Sequence, residues 1–217
     1  MRIAGIDEAG KGPVIGPMCI GGVLADKEKI DSLKNLGVAD SKKLTPKKRE
    51  HLAHQIGKYA QKVYIFVVSP SQIDELRKVM TMNQIMVLGF SRVLEELQPD
   101  MAYVDAADVN ATRFGTNLKA QYAKKFPEKA KELAVVSEHQ ADATYPIVSA
   151  ASIVAKVRRD ELIKELEKKI GIDFGSGYPS DPKTKQFLED WSMEHDTLPE
   201  FVRHSWKTAE NVLKKKK

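Results

Sequence analysis

Short apolar runs alternate along the chain with polar stretches in which apolar residues recur at helical spacing. Residues 2–6 form one such run, a predicted strand. VIGPMCIGGVLA (14–25) predicts a second strand, with glycines suited to bulges or close backbone approach. The short link between them predicts an antiparallel pair. LTPKKREHLAHQIGKYA (44–60) predicts a helix, because Thr45 suits the N-cap and Pro46 the first helical position. KVYIFVV (62–68) predicts a strand, and Ser69-Pro70 opens another helix in the same way. Ile85, Leu88, Val93 and Leu97 place a helix over 81–97. MAYVDA (101–106) predicts a strand running into an acidic turn, 110–125 a helix and LAVVSE (133–138) a strand. TYPIVSAASIVAKVRRDELIKELEKKI (144–170) predicts a long helix, small and apolar at its start and charged at its end. The Gly/Pro-rich GIDFGSGYPSDP (171–182) follows as the candidate boundary, then a helix from about Lys183, the segment LPEFVRHSW, and a helix from Lys207. This order predicts an α/β fold: a mixed sheet with helices on both faces and a helical C-terminal appendage.

Composition narrows the class. At 217 residues and 42% hydrophobic content the chain is long enough to bury a core. Cys19 is the only cysteine, which excludes a disulfide framework and a cysteine-based zinc site. No apolar run approaches the roughly 20 residues of a membrane span, and the N-terminus lacks the pattern of a signal peptide. A cytoplasmic enzyme is the expectation. The net charge of +5 suggests nucleic acid less than it first appears. Without Lys214 to Lys217 the chain carries 31 basic against 30 acidic side chains. Local clusters carry more information: Lys42-Lys43, Lys47 to Arg49 and Lys156 to Arg159. A charge run is ordinarily a solvated face.

The candidate chemistry lies in GIDEAGKG (5–12), which permits two readings. Gly5, Gly10 and Lys11 match the spacing of a phosphate-binding loop. Against that, Asp7 and Glu8 would sit inside the anion cradle, Gly12 replaces the magnesium-binding hydroxyl, and a strand rather than a helix follows. In the second reading Asp7 ends a strand as a catalytic acid. Asp105 also ends a strand, and Asp142 precedes the long helix. Three such acids at one sheet edge would require cations, and an all-oxygen set selects Mg²⁺ or Mn²⁺. Alternatives stand beside each residue. Asp142 could cap the helix, Asp100 or Asp108 could replace Asp105, and Asp7-Glu8 could be a solvated turn. Adjacent strand residues point to opposite faces, so Asp7 and Glu8 cannot both serve one metal pair from a regular strand. His139 reads as a hydrogen-bonding residue, and His51 and His54 as exposed helix positions.

GIDEAGKGPVIGP, DSKKLTP, VDAADVN, ADATYPIVSAASIVAKVRRD and GSGYPSDP occur in that order. Together they resemble type 2 ribonuclease H (ribonuclease HII), most closely its archaeal form, from Ile3 to about Pro182. The resemblance implies a ribonuclease H-like mixed five-stranded sheet as a catalytic domain over 1–182, with a helical segment over 183–217 assisting substrate binding. It implies an endoribonuclease that hydrolyses the RNA strand of RNA–DNA hybrids and cuts 5′ of ribonucleotides embedded in duplex DNA. Catalysis would use two Mn²⁺ or Mg²⁺ ions and leave 3′-OH and 5′-phosphate ends. The family's metal-site acids fall on Asp7, Glu8, Asp105 and Asp142. Its Gly-Arg-Gly loop, which touches the ribose 2′-OH, falls on Gly10, Lys11 and Gly12, with lysine in place of arginine. Its ribose-stacking tyrosine falls on Tyr178, and Lys42, Lys43 and Lys156 would face phosphates. A monomer without membrane contact is implied. A sliding clamp binds some relatives, although no clamp-binding peptide stands out near Lys214–Lys217. A non-catalytic nucleic-acid-binding module and an NTPase are the alternative classes.

Overall fold

The computed structural model describes residues 1–38 and 44–215. Its strands are β1 (Arg2–Ala9), β2 (Met18–Asp26), β3 (Lys62–Val68), β4 (Met101–Asp105) and β5 (Ala134–Glu138). Its helices are α1 (Ile30–Asn35), α2 (Pro46–Tyr59), α3 (Pro70–Arg77), α4 (Met82–Leu97), α5 (Ala111–Ala123), α6 (Pro127–Glu132), α7 (Ala141–Thr144), α8 (Pro146–Ile170), α9 (Pro182–Glu194) and α10 (Lys207–Lys215). The strands form one mixed sheet in the order β3-β2-β1-β4-β5. β1 runs antiparallel to β2 and parallel to β4, and β4 runs parallel to β5. The predicted sheet and the predicted antiparallel first pair are both present.

The chain packs into two compact units. The first comprises Met1–Ala9, Cys19–Phe66 and Met82–Arg158, and contains the sheet. Its two faces are shaped by glycines. A Cβ on Gly5 would lie 2.2 Å from Ile147 O, and one on Gly21 would lie 2.6 Å from Ala151 O. Only glycine therefore lets the small, apolar start of α8 lie directly on β1 and β2. On the opposite face a Cβ on Gly22 would meet Val93 and Leu97 of α4. Ile3, Val23, Leu52, Ile56, Val148 and Ile153 belong to the core on the α8 side. Burying each such side chain contributes about 1.5–3 kcal/mol.

The second unit comprises Gly10–Met18, Val67–Thr81 and Arg159–Lys217. Val14, Ile15, Ile163, Phe174, Phe187, Leu188 and Val202 share its core. Phe174, inside the Gly/Pro-rich loop, is fully buried. The loop is held by Asp181, whose carboxylate accepts from Ser176 Oγ (2.6 Å), Ser176 N (2.8 Å) and Lys183 N (2.9 Å). The Ser176 hydroxyl and amide pull the Asp181 carboxyl down to about 2. The expected C-terminal helices are α9 and α10.

Local capping signals hold. Thr45 accepts from Lys48 N, and Ser69 forms a capping box with Gln72. The second strand starts later than expected, at Met18. Residues 14–17 are irregular because Gly16 has φ +87° and a Cβ there would strike Ile163 Cδ1. No helix follows Lys11, which removes the phosphate-loop reading. α1 and α6 are short and went unforeseen. The long helix begins at Pro146, and Asp142 lies in the separate turn α7. Asp142 is therefore not its cap; the N–H groups of Val148 and Ser149 turn to Tyr145 O. Lys42 and Lys43 lie outside the described residues.

Candidate active site and loop

In the first unit the acids gather where β1 outruns β4. β1 keeps regular register with β2 through Asp7↔Gly21 and Glu8↔Ile20, without a bulge. Its pairing with β4 stops at Ile6↔Val104, one residue before Asp7, and β4 itself ends at Asp105. Oxygens of Asp7, Glu8 and Asp105 nevertheless lie within 4.8 Å of one another. Two features reconcile this with the opposite-face rule. The Asp7 carboxylate folds back along the strand and accepts the Glu8 N–H at 2.7 Å. The longer Glu8 side chain brings one of its carboxylate oxygens into the group.

Asp7 faces α8, and only 5% of it is exposed. Burial, together with the nearby Glu8 and Asp105 carboxylates, holds its carboxyl well above the usual range; the Ser152 hydroxyl pulls the other way. Ser152 is delivered by the glycine-mediated contact of α8 with the sheet. Lys156, one turn on, donates to Ser152 Oγ at 2.7 Å, which leaves the hydroxyl proton for Asp7. Asp105 ends β4, and its Oδ1 accepts the Ala141 N–H at 2.9 Å. Asp142 follows Ala141, is 6% exposed, and lies outside the three-acid group.

The rival acids are committed elsewhere. Asp100 accepts from Arg2 N at 2.7 Å and Arg2 Nη2 at 3.3 Å. Asp108 holds Arg113 through two bonds of 3.0 and 2.6 Å, which keep its carboxyl below the ordinary value. His139 meets Val109 O, while His51 and His54 are exposed on α2, as expected. Three oxygen donors around a buried aspartate suit a divalent cation, which would offset their repulsion. No described side chain in the group offers nitrogen or sulfur.

In the second unit, Gly10, Lys11 and Gly12 form a turn with Gly10 at φ +88°. A Cβ on Gly10 would lie 2.5 Å from Arg159 Nε, so no side chain fits. A Cβ on Gly12 would lie 3.6 Å from Tyr178 Cε1, an ordinary contact. The Arg159 guanidinium lies 5.5 Å from the Tyr178 ring centroid. Gly177 O accepts the Val14 and Ile15 N–H groups, tying the tyrosine loop to residues beyond Gly12. Tyr178 itself is 41% exposed. The expected loop residues and Tyr178 therefore come together.

Sequence reasoning missed Ser152, Arg203 and Trp206, and named Arg159 only within a basic cluster. Arg203 and Trp206 donate to carbonyls of the loop. Nothing local marks Arg203, which stands in LPEFVRHSW near Glu200 and His204.

A model of the Ribonuclease HII family matches residues 4–209. A ribonuclease HII of Methanosarcina barkeri is 68% identical over 213 residues, covering 98% of this chain and 95% of that protein. The crystal structure of ribonuclease H2 from Pyrococcus horikoshii superposes with a TM-score of 0.90 at 44% identity, covering 99% of this chain and 98% of the other. The ribonuclease HII of Archaeoglobus fulgidus, solved in complex with PCNA, superposes with a TM-score of 0.85 at 42% identity, covering 95% and 96%.

Proposed function

The chain belongs to the ribonuclease HII family, hydrolytic endoribonucleases acting on RNA–DNA hybrids, and on that premise we propose how its residues divide the work. It hydrolyses the RNA strand of such hybrids and cuts 5′ of single ribonucleotides in duplex DNA, leaving 3′-OH and 5′-phosphate ends. The observation that carries this reading is the three-carboxylate group around the buried Asp7.

Asp7, Glu8 and Asp105 hold Mn²⁺ or Mg²⁺, with Asp142 completing the set from α7. Two such ions, when bound, activate water and neutralise the leaving oxygen. The protein's part is to keep the acids close and oriented. Ser152 and the Glu8 N–H fix the Asp7 carboxylate, and the Ala141 N–H fixes Asp105. Burial and the neighbouring carboxylates make the charged form of Asp7 costly, and a bound cation would offset that cost.

Discrimination needs a group close to the 2′-OH. Gly10, Lys11 and Gly12 supply backbone at close range, and Tyr178 supplies a ring for the sugar. Lysine at position 11 lacks the planar fork of arginine, so in this reading the backbone dominates recognition. Lys42, Lys43 and Lys156 contact phosphates, which position the duplex without reading sequence. Residues 183–217 assist substrate binding. The enzyme acts as a cytoplasmic monomer, and a clamp contact like that of the Archaeoglobus protein is part of the proposal.

The test is a DNA duplex carrying one ribonucleotide, incubated with Mn²⁺. Incision on its 5′ side by the wild type and none by Asp7→Asn is expected. No incision, or equal incision by Asp7→Asn, would sink the assignment.

A further inference from the structure

Arg203 is fully buried, yet its guanidinium ends on backbone oxygens of a turn 190 or so residues away in sequence. Nη2 donates to Gly10 O at 2.6 Å, Nη1 to Lys11 O at 3.0 Å and Nε to Gly16 O at 3.0 Å. Trp206 Nε1 donates to Gly12 O at 3.0 Å, and the guanidinium lies 4.8 Å from its ring centroid. The carbonyls of Gly10, Lys11 and Gly12 are thus all taken up by two side chains from one four-residue stretch. That stretch is pinned in turn. Arg203 N donates to Val14 O, while Asp74 of α3 accepts from His204 N (2.8 Å), Ser205 N (3.0 Å) and Ser205 Oγ (2.6 Å).

This arrangement sets the aim of the turn. In a trans peptide the carbonyl of one residue and the N–H of the next point opposite ways, and no cis bond is present among the described residues. Drawing Gly10 O toward Arg203 aims the Lys11 N–H away from it, and drawing Lys11 O inward does the same for the Gly12 N–H. Pro13 has no N–H to aim. The orientation of two successive amides is thereby set by the side chain that holds their carbonyls. A buried guanidinium is expensive to desolvate, and a leucine or methionine would fill an apolar core more simply. Its planar, forked donors are what fix three carbonyls at once; a lysine ammonium cannot do so.

We propose that Arg203 and Trp206 are positioning residues that set ribonucleotide selectivity by orienting the peptide planes of residues 10–12. The proposal rests on the reading of that turn as the ribose contact. Neither side chain touches substrate; each acts through the loop.

The experiment measures KM for a duplex with one ribonucleotide and the inhibition constant of the all-DNA duplex of the same sequence. The ratio of the second to the first is the selectivity. Wild type, Trp206→Phe, Arg203→Lys and Gly12→Ala are compared, with thermal midpoints recorded. Trp206→Phe removes one N–H donor and keeps the ring. It should stay folded and, because an untethered Gly12 carbonyl lets residue 12 and its own N–H shift, lose up to about fivefold in selectivity, the worth of one hydrogen bond. Arg203→Lys should lose more, with its charge retained but its fork gone. A merely structural role would lower active protein and leave the ratio unchanged. Wild-type selectivity in Trp206→Phe, while Gly12→Ala loses it, overturns the positioning role alone, even if Arg203→Lys does not fold. Wild-type selectivity in Gly12→Ala overturns the ribose-contact reading beneath it.

Discussion

Asp7→Asn should make the metal-free protein more stable while abolishing its activity. The asparagine is nearly isosteric and keeps one acceptor oxygen, enough for the Glu8 N–H. What it removes is a charge in a buried position, with two carboxylates whose oxygens lie within 4.8 Å. At that separation and an effective dielectric of about 20, one like-charged neighbour costs roughly 3 kcal/mol. Glu8 and Asp105 are partly exposed, so screening brings the expected gain to about 1–3 kcal/mol. For a chain of this length each kcal/mol moves the thermal midpoint by about 2–4 °C.

The pH dependence has a definite sign. Asp7 is raised, so above the ordinary carboxyl value the native state holds a proton that the unfolded chain has lost. The metal-free wild type therefore loses stability as pH rises through the interval up to the raised value, and Asp7→Asn lacks that slope. Divalent metal reverses the ranking. Mn²⁺ at one hundred times its dissociation constant stabilises the wild type by about 2.7 kcal/mol, and the variant by less. Denaturant unfolding with EDTA and with Mn²⁺, at several pH values, checks both parts. A variant no more stable than the wild type in EDTA at every pH would refute the reasoning.

Three further outcomes follow from the geometry. Gly10→Ala should destabilise by about 1–3 kcal/mol, because φ +88° and contact with Arg159 both oppose a side chain, whereas Gly12→Ala should unfold like the wild type; thermal melts separate them. Gly21→Ala should push α8 off the sheet by setting a Cβ 2.6 Å from Ala151 O, costing about 1–3 kcal/mol and moving Ser152 from Asp7. It should also lower kcat for the single-ribonucleotide duplex in Mn²⁺. Asp108→Asn should keep kcat and lose only its hold on Arg113, while Asp105→Asn should lose activity; steady-state kinetics distinguish the two acids.

What was legible in the sequence was whatever is decided locally. KVYIFVV is β3 from end to end, and Thr45-Pro46 and Ser69-Pro70 open α2 and α3, because caps and apolar runs act within a few residues. Residues 14–17 misled for the opposite reason. They are apolar enough for a strand, but Val14 and Ile15 are buried in the core of the second unit and Gly16 bends to meet Ile163. Asp105 and Asp142 were visible as strand-end and pre-helix acids, whereas Asp7, expected at a strand end, and Glu8 lie inside β1, which runs on to Ala9; periodicity could not choose Asp105 over Asp100 or Asp108. Partners make that choice: Arg2 and Arg113 take the rivals, and the Ala141 amide turns Asp105 toward Asp7. The opposite-face rule set Asp7 and Glu8 at odds with a regular strand, and β1 is regular there. The rule describes Cβ directions, and the carboxylate oxygens still come within 4.8 Å of each other. Arg203 lay furthest from reach. Its partners are known only once residues 10–16 and 203 have been folded together.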